Sequence, residues 1–279
     1  MVDPAFGKPT IRATAPVETF TFDVPDQDVA DFKQLLKLSK LAPETWYNSQ
    51  EGGVYGVSRQ WLKDAKDAWL EFDWRKHEAH LNSVPNFQVT LDHAKCGPMN
   101  LHFAALFSSK EDALPVLCMH SWPGGFFEYL PVMHLLAQKY TPEDLPYHVI
   151  VPSVPGFGTS TAPLGIELTY NHAAETLHQL MIHLGFESGY VAQGGDVGSS
   201  LARIMAARFD ACKAIHITML IAENEKHVFK DEPLPPHDQA LMQRMNDFMA
   251  KGISYAIFNG LRPSTAGLVV SSSPLALLA

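Results

Sequence analysis

Apolar residues recur along this chain with two different periods, and the change of period divides it. From Pro25 onward, Val29, Phe32, Leu35, Leu36 and Leu38 form a helical apolar stripe, with Asp26 or Asp28 placed to start it. A loop containing "EGGVYG" follows. Trp61, Leu62, Ala65, Ala68, Trp69 and Phe72 then predict a second helix over 60–73. Stripes of this kind must be buried against something larger. The first 25 residues, rich in Pro and Thr and without a helical period, predict an extended arm.

After Pro85 the residues become those of a sheet. "FQVTL", "MNLHFAALF" and "LPVLCMH" predict successive strands, the last nearly all apolar and therefore central. Helix and strand then alternate: a helix over 128–138, the strand "YHVIVP", a helix over 169–184, the strand "GYVAQ", a helix over 197–209 and the strand "KAIHITML". The 169–184 helix rests on Ala173, Leu177, Leu180, Met181 and Leu184, with Gly185 placed to end it. Such alternation predicts an α/β fold with a mostly parallel sheet. Beyond Ile221 the pattern is helical again, over 241–251 and 253–258. The predicted organisation is therefore a helical and extended segment (1–85), an α/β core (86–222) and a final helical segment (223–279). The last residues, "GLVVSSSPLALLA", stop on an apolar run that has only begun after Pro274, and the chain reads as cut.

Composition narrows the setting. The formal charge of −9, with no basic run, excludes nucleic acid and anionic membrane surfaces as partners. Cys96, Cys118 and Cys212 are odd in number and widely spaced, without a CxxC pair, so neither a disulfide framework nor a metal knuckle is indicated. No stretch approaches the roughly 18 apolar residues of a membrane span, and the start of the chain carries no secretory signal. The expectation is a soluble, cytoplasmic protein without metal or cofactor.

The candidate chemistry sits in "YVAQGGDVGSS". Gly194, Gly195, Asp196, Val197 and Gly198 have the form G-x-nucleophile-x-G between a strand and a helix, the spacing of a nucleophile elbow. Flanking glycines are needed where such a turn brings backbones too close for a Cβ. The helix starting beside Asp196 aims its N–H groups and dipole at the same point. Locally, an aspartate before a helix is more commonly an N-cap. Phosphate-loop readings fail because neither GxGxxG nor GK[ST] is present.

A second segment decides between the two. "CMHSWPGGFFEYLPVM" follows the central strand, and His120-Ser121-Trp122-Pro123 resembles the HGxP motif of α/β-hydrolases. "PSVPGFGTS", after the next strand, resembles that family's loop at the mouth of the site. Together with "FDWRKHEAHLNSVPNF" and "QGGDVGS", these segments resemble the microsomal-type epoxide hydrolases, most nearly the soluble fungal ones, from about Phe22 to Ala279. The resemblance implies an α/β-hydrolase core with a helical lid, and Asp196 as a nucleophile that opens an organic epoxide through an aspartyl ester. It implies an oxyanion hole made by the Trp122 and Val197 N–H groups, and Tyr255 as a lid tyrosine that donates a proton to the leaving oxygen. His120 and Pro123 belong to the loop motif, and Trp122, Phe126, Phe127 and Phe157 would wall the site for a small apolar epoxide; water is the second substrate. Ser121 departs from the family's usual glycine, which implies a modest perturbation of the oxyanion loop.

The resemblance also implies a base histidine after the last strand, oriented by an acid, and a second lid tyrosine. No strand follows "KAIHITML" to carry the first two. His216 reads as a packed core histidine, and Glu223 or Glu225 would have no base to orient. The expectation is a chain cut within the lid, with an exposed apolar sheet edge and association, including as a homodimer. Two other readings stand beside this one. A haloalkane dehalogenase would carry tryptophan where Val197 stands, and a non-catalytic remnant would bind small apolar molecules.

Overall fold

The computed structural model describes residues 2–9, 17–220 and 235–279. They form two compact units, one of Met1–Asp23 with Arg75–Ile221, the other of Val24–Trp74 with Ala222–Ala279.

In the second unit, α1 (Asp26–Leu38) starts at the predicted aspartate, and α2 (Arg59–Leu70) is capped by Ser58, whose hydroxyl accepts the Trp61 N–H at 3.2 Å. Phe32 and Trp69 meet edge to face, and Lys66 Nζ donates to the Ser39 and Lys37 carbonyls that end α1. Of the α1 stripe only Leu36 is buried; Leu35 and Leu38 are exposed.

Among the described residues the first unit is built on seven strands: β1 (Glu18–Phe20), β2 (Asn86–His93), β3 (Gly97–Leu106), β4 (Leu114–Met119), β5 (Tyr147–Pro152), β6 (Tyr190–Gly194) and β7 (Cys212–Ile217). Their order is β1-β2-β3-β5-β4-β6-β7. The first three strands and the β3–β5 pair are antiparallel, while β5, β4, β6 and β7 run parallel. β4 lies between two parallel partners, as its apolar run predicts. The two faces follow the period of two along each strand. Leu101, Phe103, Ala105, Leu117, Met119 and Ile150 join one apolar cluster, and their neighbours Ala104, Leu106, Cys118, Val149 and Val151 join the other. Among the helices, α5 (Tyr170–His183) and α6 (Asp196–Arg208) cover the first face and α4 (Leu130–Lys139) the second. α5 closes as predicted: Gly185 takes φ 85, its N–H reaches Ile182 O, and the Phe186 N–H reaches Met181 O.

Some expectations change. The amino-terminal arm contains a capped 3-10 turn at Pro4–Gly7 and the strand β1, and Phe6 is buried with its carbonyl on the Phe107 N–H. α3 (Trp74–Leu81) was illegible because "WRKHEAHL" is polar on nearly every side. His216 is exposed, not packed in the core, because β7 ends the sheet among the described residues and only Cys212 of it is buried. Glu223 and Glu225 lie outside the described residues. After residue 235 come α7 (Pro236–Asp247), a π-helical turn (Phe248–Gly252), α8 (Ser254–Leu261), α9 (Pro263–Ser271), which no period had marked, and the short α10 (Pro274–Leu278). None of the described helices is long and apolar enough to cross a membrane.

One buried polar group gives the first unit a pH dependence. His102 lies fully buried in β3, with Nδ1 2.9 Å from Ser153 Oγ and Nε2 3.1 Å from Asn86 Oδ1. Burial lowers its pKa from 6.5 to about 4. Above pH 6.5 the ring is neutral in both folded and unfolded chains. As the pH falls from 6.5 towards 4, the unfolded chain takes up a proton that the folded chain does not, so stability is lost. The loss is on the order of 3 kcal/mol when complete. The urea midpoint is expected to fall between pH 7.5 and 5, and to fall less in His102→Gln; equal pH slopes for the two chains would contradict this assignment.

Candidate active site

The corner between β6 and α6 is crowded, and its glycines answer to that crowding. A Cβ on Gly194 would come within 2.3 Å of the Gly198 carbonyl carbon. One on Gly198 would come within 2.4 Å of the Met119 carbonyl oxygen at the end of β4. A Cβ on Gly195 would lie 2.9 Å from Thr218 Oγ1. At the apex, Asp196 takes φ 47, the one positive value outside glycine among the described residues. Asp and Asn tolerate this region better than other side chains, yet it costs energy, which is the signature of a strained turn.

Asp196 is not an N-cap. Gly195 holds that position without a side-chain cap, and the Asp196 carboxylate turns elsewhere: its Oδ1 accepts the Trp122 N–H at 2.9 Å. Val197 is next, in the first turn of α6, where N–H groups have no carbonyl four residues back within the helix. It packs, half-buried, against the core.

The loop carrying Trp122 is held from both sides. His120 is buried; its Nδ1 lies 2.9 Å from Ser121 O, and its Nε2 accepts the Val154 N–H at 3.0 Å. This pairing requires a neutral ring with its proton on Nδ1, and burial lowers the His120 pKa in the same direction. The Trp122–Pro123 bond is cis. Glu128, absent from the expected site, binds the loop's other end: its carboxylate accepts the Ser121 N–H at 3.2 Å, the Ser121 hydroxyl at 2.8 Å and the Gly125 N–H at 3.1 Å. The sequence signal was the Gly125-x-x-Glu128 spacing before a helix, half of a capping box.

Behind the corner, the Tyr129 hydroxyl lies 2.6 Å from Gln193 Oε1 and 2.9 Å from Met119 O, tying β4 to β6. Burial raises its pKa, so it remains a neutral phenol. Ser199 Oγ donates to Gly194 O and accepts the Met219 N–H. Tyr170, half-exposed at the start of α5, has its pKa raised by partial burial and then by the Asp196 charge, which places its phenol in the field of that carboxylate.

A family model described as epoxide hydrolase N terminus matches residues 17–129, and one described as alpha/beta hydrolase fold matches 115–251. The structure of Aspergillus niger epoxide hydrolase superposes with a TM-score of 0.91 at 41% identity, covering 98% of this chain and 70% of that one. The chain belongs to the epoxide hydrolase family. A relative from Dothistroma septosporum, named "Putative epoxide hydrolase", is 39% identical over 98% of this chain and 66% of its own length. Juvenile hormone epoxide hydrolase from Bombyx mori, at 22% identity and a TM-score of 0.74, shares the fold. The chain thus spans 66% of that Dothistroma relative and 54% of a third, from Alternaria alternata.

Within the epoxide hydrolase scaffold the expected walls divide. Phe157 stands edge to face with the His120 ring at 5.1 Å, beside the loop that carries Trp122. Phe126 is instead a core residue, 4% exposed, stacked on Phe22 and edge to face with His102. The 3-10 turn at Phe126–Tyr129 points Phe126 inward and leaves Phe127 exposed. Tyr255 lies on α8 of the second unit, about half exposed, and its carbonyl accepts the Asn259 amide at 2.8 Å. Among the described residues no cluster of three or more His, Cys, Asp or Glu could hold a metal ion.

Proposed function

We propose that this chain opens small organic epoxides by covalent attack from Asp196. The reading is carried by one observation: a strained aspartate at a strand-to-helix corner, not capping its helix, with Oδ1 on the Trp122 N–H at 2.9 Å. That bond leaves Oδ2 to attack a ring carbon in line with the C–O bond. The C–O bond breaks, an alkyl ester of Asp196 forms, and the ring oxygen takes a proton from Tyr255. Water then adds to the ester carbonyl, and the proton released in this step restores the Tyr255 phenol. The Trp122 and Val197 N–H groups hold the oxyanion until the diol leaves and the carboxylate is restored. The apolar faces of Trp122 and Phe157 favour an uncharged substrate. Three free cysteines support a reducing, intracellular setting.

Attack and hydrolysis make different demands. The base histidine that the family resemblance implies would follow a strand beyond β7, and no strand follows β7 among the described residues. General base help is worth about 10² to 10⁴ in rate. The 279-residue chain, incubated with styrene oxide, is therefore expected to accumulate one adduct with the mass of the epoxide, on the peptide containing Asp196. Tyr255→Phe should slow its formation by roughly tenfold or more without moving its site. An adduct elsewhere, or none on folded protein, would refute the assignment. Sustained diol release without an adduct would show that another group serves as base.

A further inference from the structure

We propose that Ser121 and Glu128 are a positioning pair for the chemistry at Asp196, an assignment that rests on the reaction proposed above. One peptide plane joins the loop to Asp196. The cis bond in this loop follows Trp122, so the Ser121–Trp122 peptide is trans, and its C=O and N–H leave opposite edges of a rigid plane. The carbonyl edge meets His120 Nδ1 at 2.9 Å, and the N–H edge meets Asp196 Oδ1 at 2.9 Å. What such a plane keeps is rotation about the backbone bonds of Ser121, and that residue is the one Glu128 holds.

The Glu128 carboxylate takes both donors of Ser121, the N–H at 3.2 Å and the hydroxyl at 2.8 Å, and adds the Gly125 N–H at 3.1 Å. The beginning and end of the loop are thus tied through one side chain. Space for it exists only because residue 124 is glycine: a Cβ there would lie 1.7 Å from Glu128 Oε1. Glycine at position 121, usual in the resembling family, would lack the hydroxyl bond and would have the widest backbone freedom of any residue. Serine removes both weaknesses. The departure from the motif therefore reinforces the loop in this chain. Glu128 is exposed, so its removal strands no buried charge and the fold should survive.

The test uses the 279-residue chain with Ser121→Ala, Glu128→Ala, Glu128→Gln and the Ser121→Ala/Glu128→Ala double variant. Adduct formation with styrene oxide is followed against epoxide concentration, which separates the limiting rate from half-saturation. Glu128→Ala is expected to lower the limiting rate about tenfold and Ser121→Ala about threefold, with half-saturation unchanged. Glu128→Gln should recover only part of the loss, because its single amide oxygen can keep the two Ser121 donors but its NH2 cannot accept the Gly125 N–H. In the double variant, losing Ser121 Oγ should add nothing to the loss of Glu128. A second readout needs no epoxide: hydrogen exchange of the Trp122 amide should quicken at least about fivefold in Glu128→Ala, as its bond to Asp196 loosens. Unchanged limiting rates, or losses that simply add in the double variant, would overturn the pairing. No adduct in the parent chain would refute the proposed reaction; faster Trp122 exchange in the variants would then still support positioning, and unchanged exchange would overturn it. Should Glu128→Ala fail to fold, Ser121→Ala carries the same two readouts.

Discussion

Asp196→Asn is expected to abolish covalent capture of an epoxide, by at least about a thousandfold, while leaving the fold intact. The substitution isolates the chemistry because the corner makes two other demands on this residue, and asparagine meets both. Asparagine tolerates the left-handed region in which Asp196 sits at φ 47. Its amide oxygen can also accept the Trp122 N–H that Oδ1 now takes at 2.9 Å. What it cannot supply is an anionic oxygen with an electron pair for carbon. Alanine would be a poorer choice, since it adds backbone strain and leaves the Trp122 N–H without this acceptor. The measurement is intact mass and peptide mapping after exposure to styrene oxide, with thermal midpoints compared beside it. An Asp196→Asn variant that is labelled at the parent rate would remove Asp196 from the mechanism.

The second large effect is expected from adding one methyl group. Gly198→Ala places a Cβ 2.4 Å from the Met119 carbonyl oxygen and 3.0 Å from its carbon. Both are backbone atoms of the strand beside β6, so no side-chain rotation relieves the clash, and α6 must move away from the sheet. Forcing a well-packed interior in this way costs about 3 kcal/mol or more, which lowers the thermal midpoint by on the order of 10 °C. Because Asp196 begins the same helix, its carboxylate would leave the Trp122 N–H, and adduct formation should fall with stability. Gly267→Ala in α9 is the control: nothing lies within 4 Å of its Cβ, and alanine is the better helix former by about 1 kcal/mol. A Gly198→Ala chain with the parent midpoint and the parent labelling rate would mean that the corner is looser than its geometry states.

Much of the unit that carries Asp196 was legible from local pattern. Val149, Ile150 and Val151 lie on strand β5, and Leu177, Leu180 and Met181 on helix α5, because apolar periods of two and 3.6 are written residue by residue. Thr169 and Gly185 bound α5 for equally local reasons, a hydroxyl cap and a left-handed turn. The spacing from Gly194 to Gly198 was legible too, since a crowded corner excludes Cβ atoms wherever it occurs. Where a segment carried no apolar period, as in 74–81, the helix was missed.

The sequence by itself therefore determined the periodic elements of that unit, their alternation and the spacing of the corner that presents Asp196. Only the tertiary structure decided what that carboxylate faces. Trp122 and Asp196 are 74 residues apart and meet because β4 and β6 are paired, although β5 lies between them in the chain. The same holds for Glu128 under Ser121, for Phe126 turned into the core, and for His216 exposed on a strand that ends the described sheet. Each depends on which strands are neighbours and which face a turn presents. Those are properties of pairing across the fold, and the periodicity of a single segment is the same whichever partner it meets.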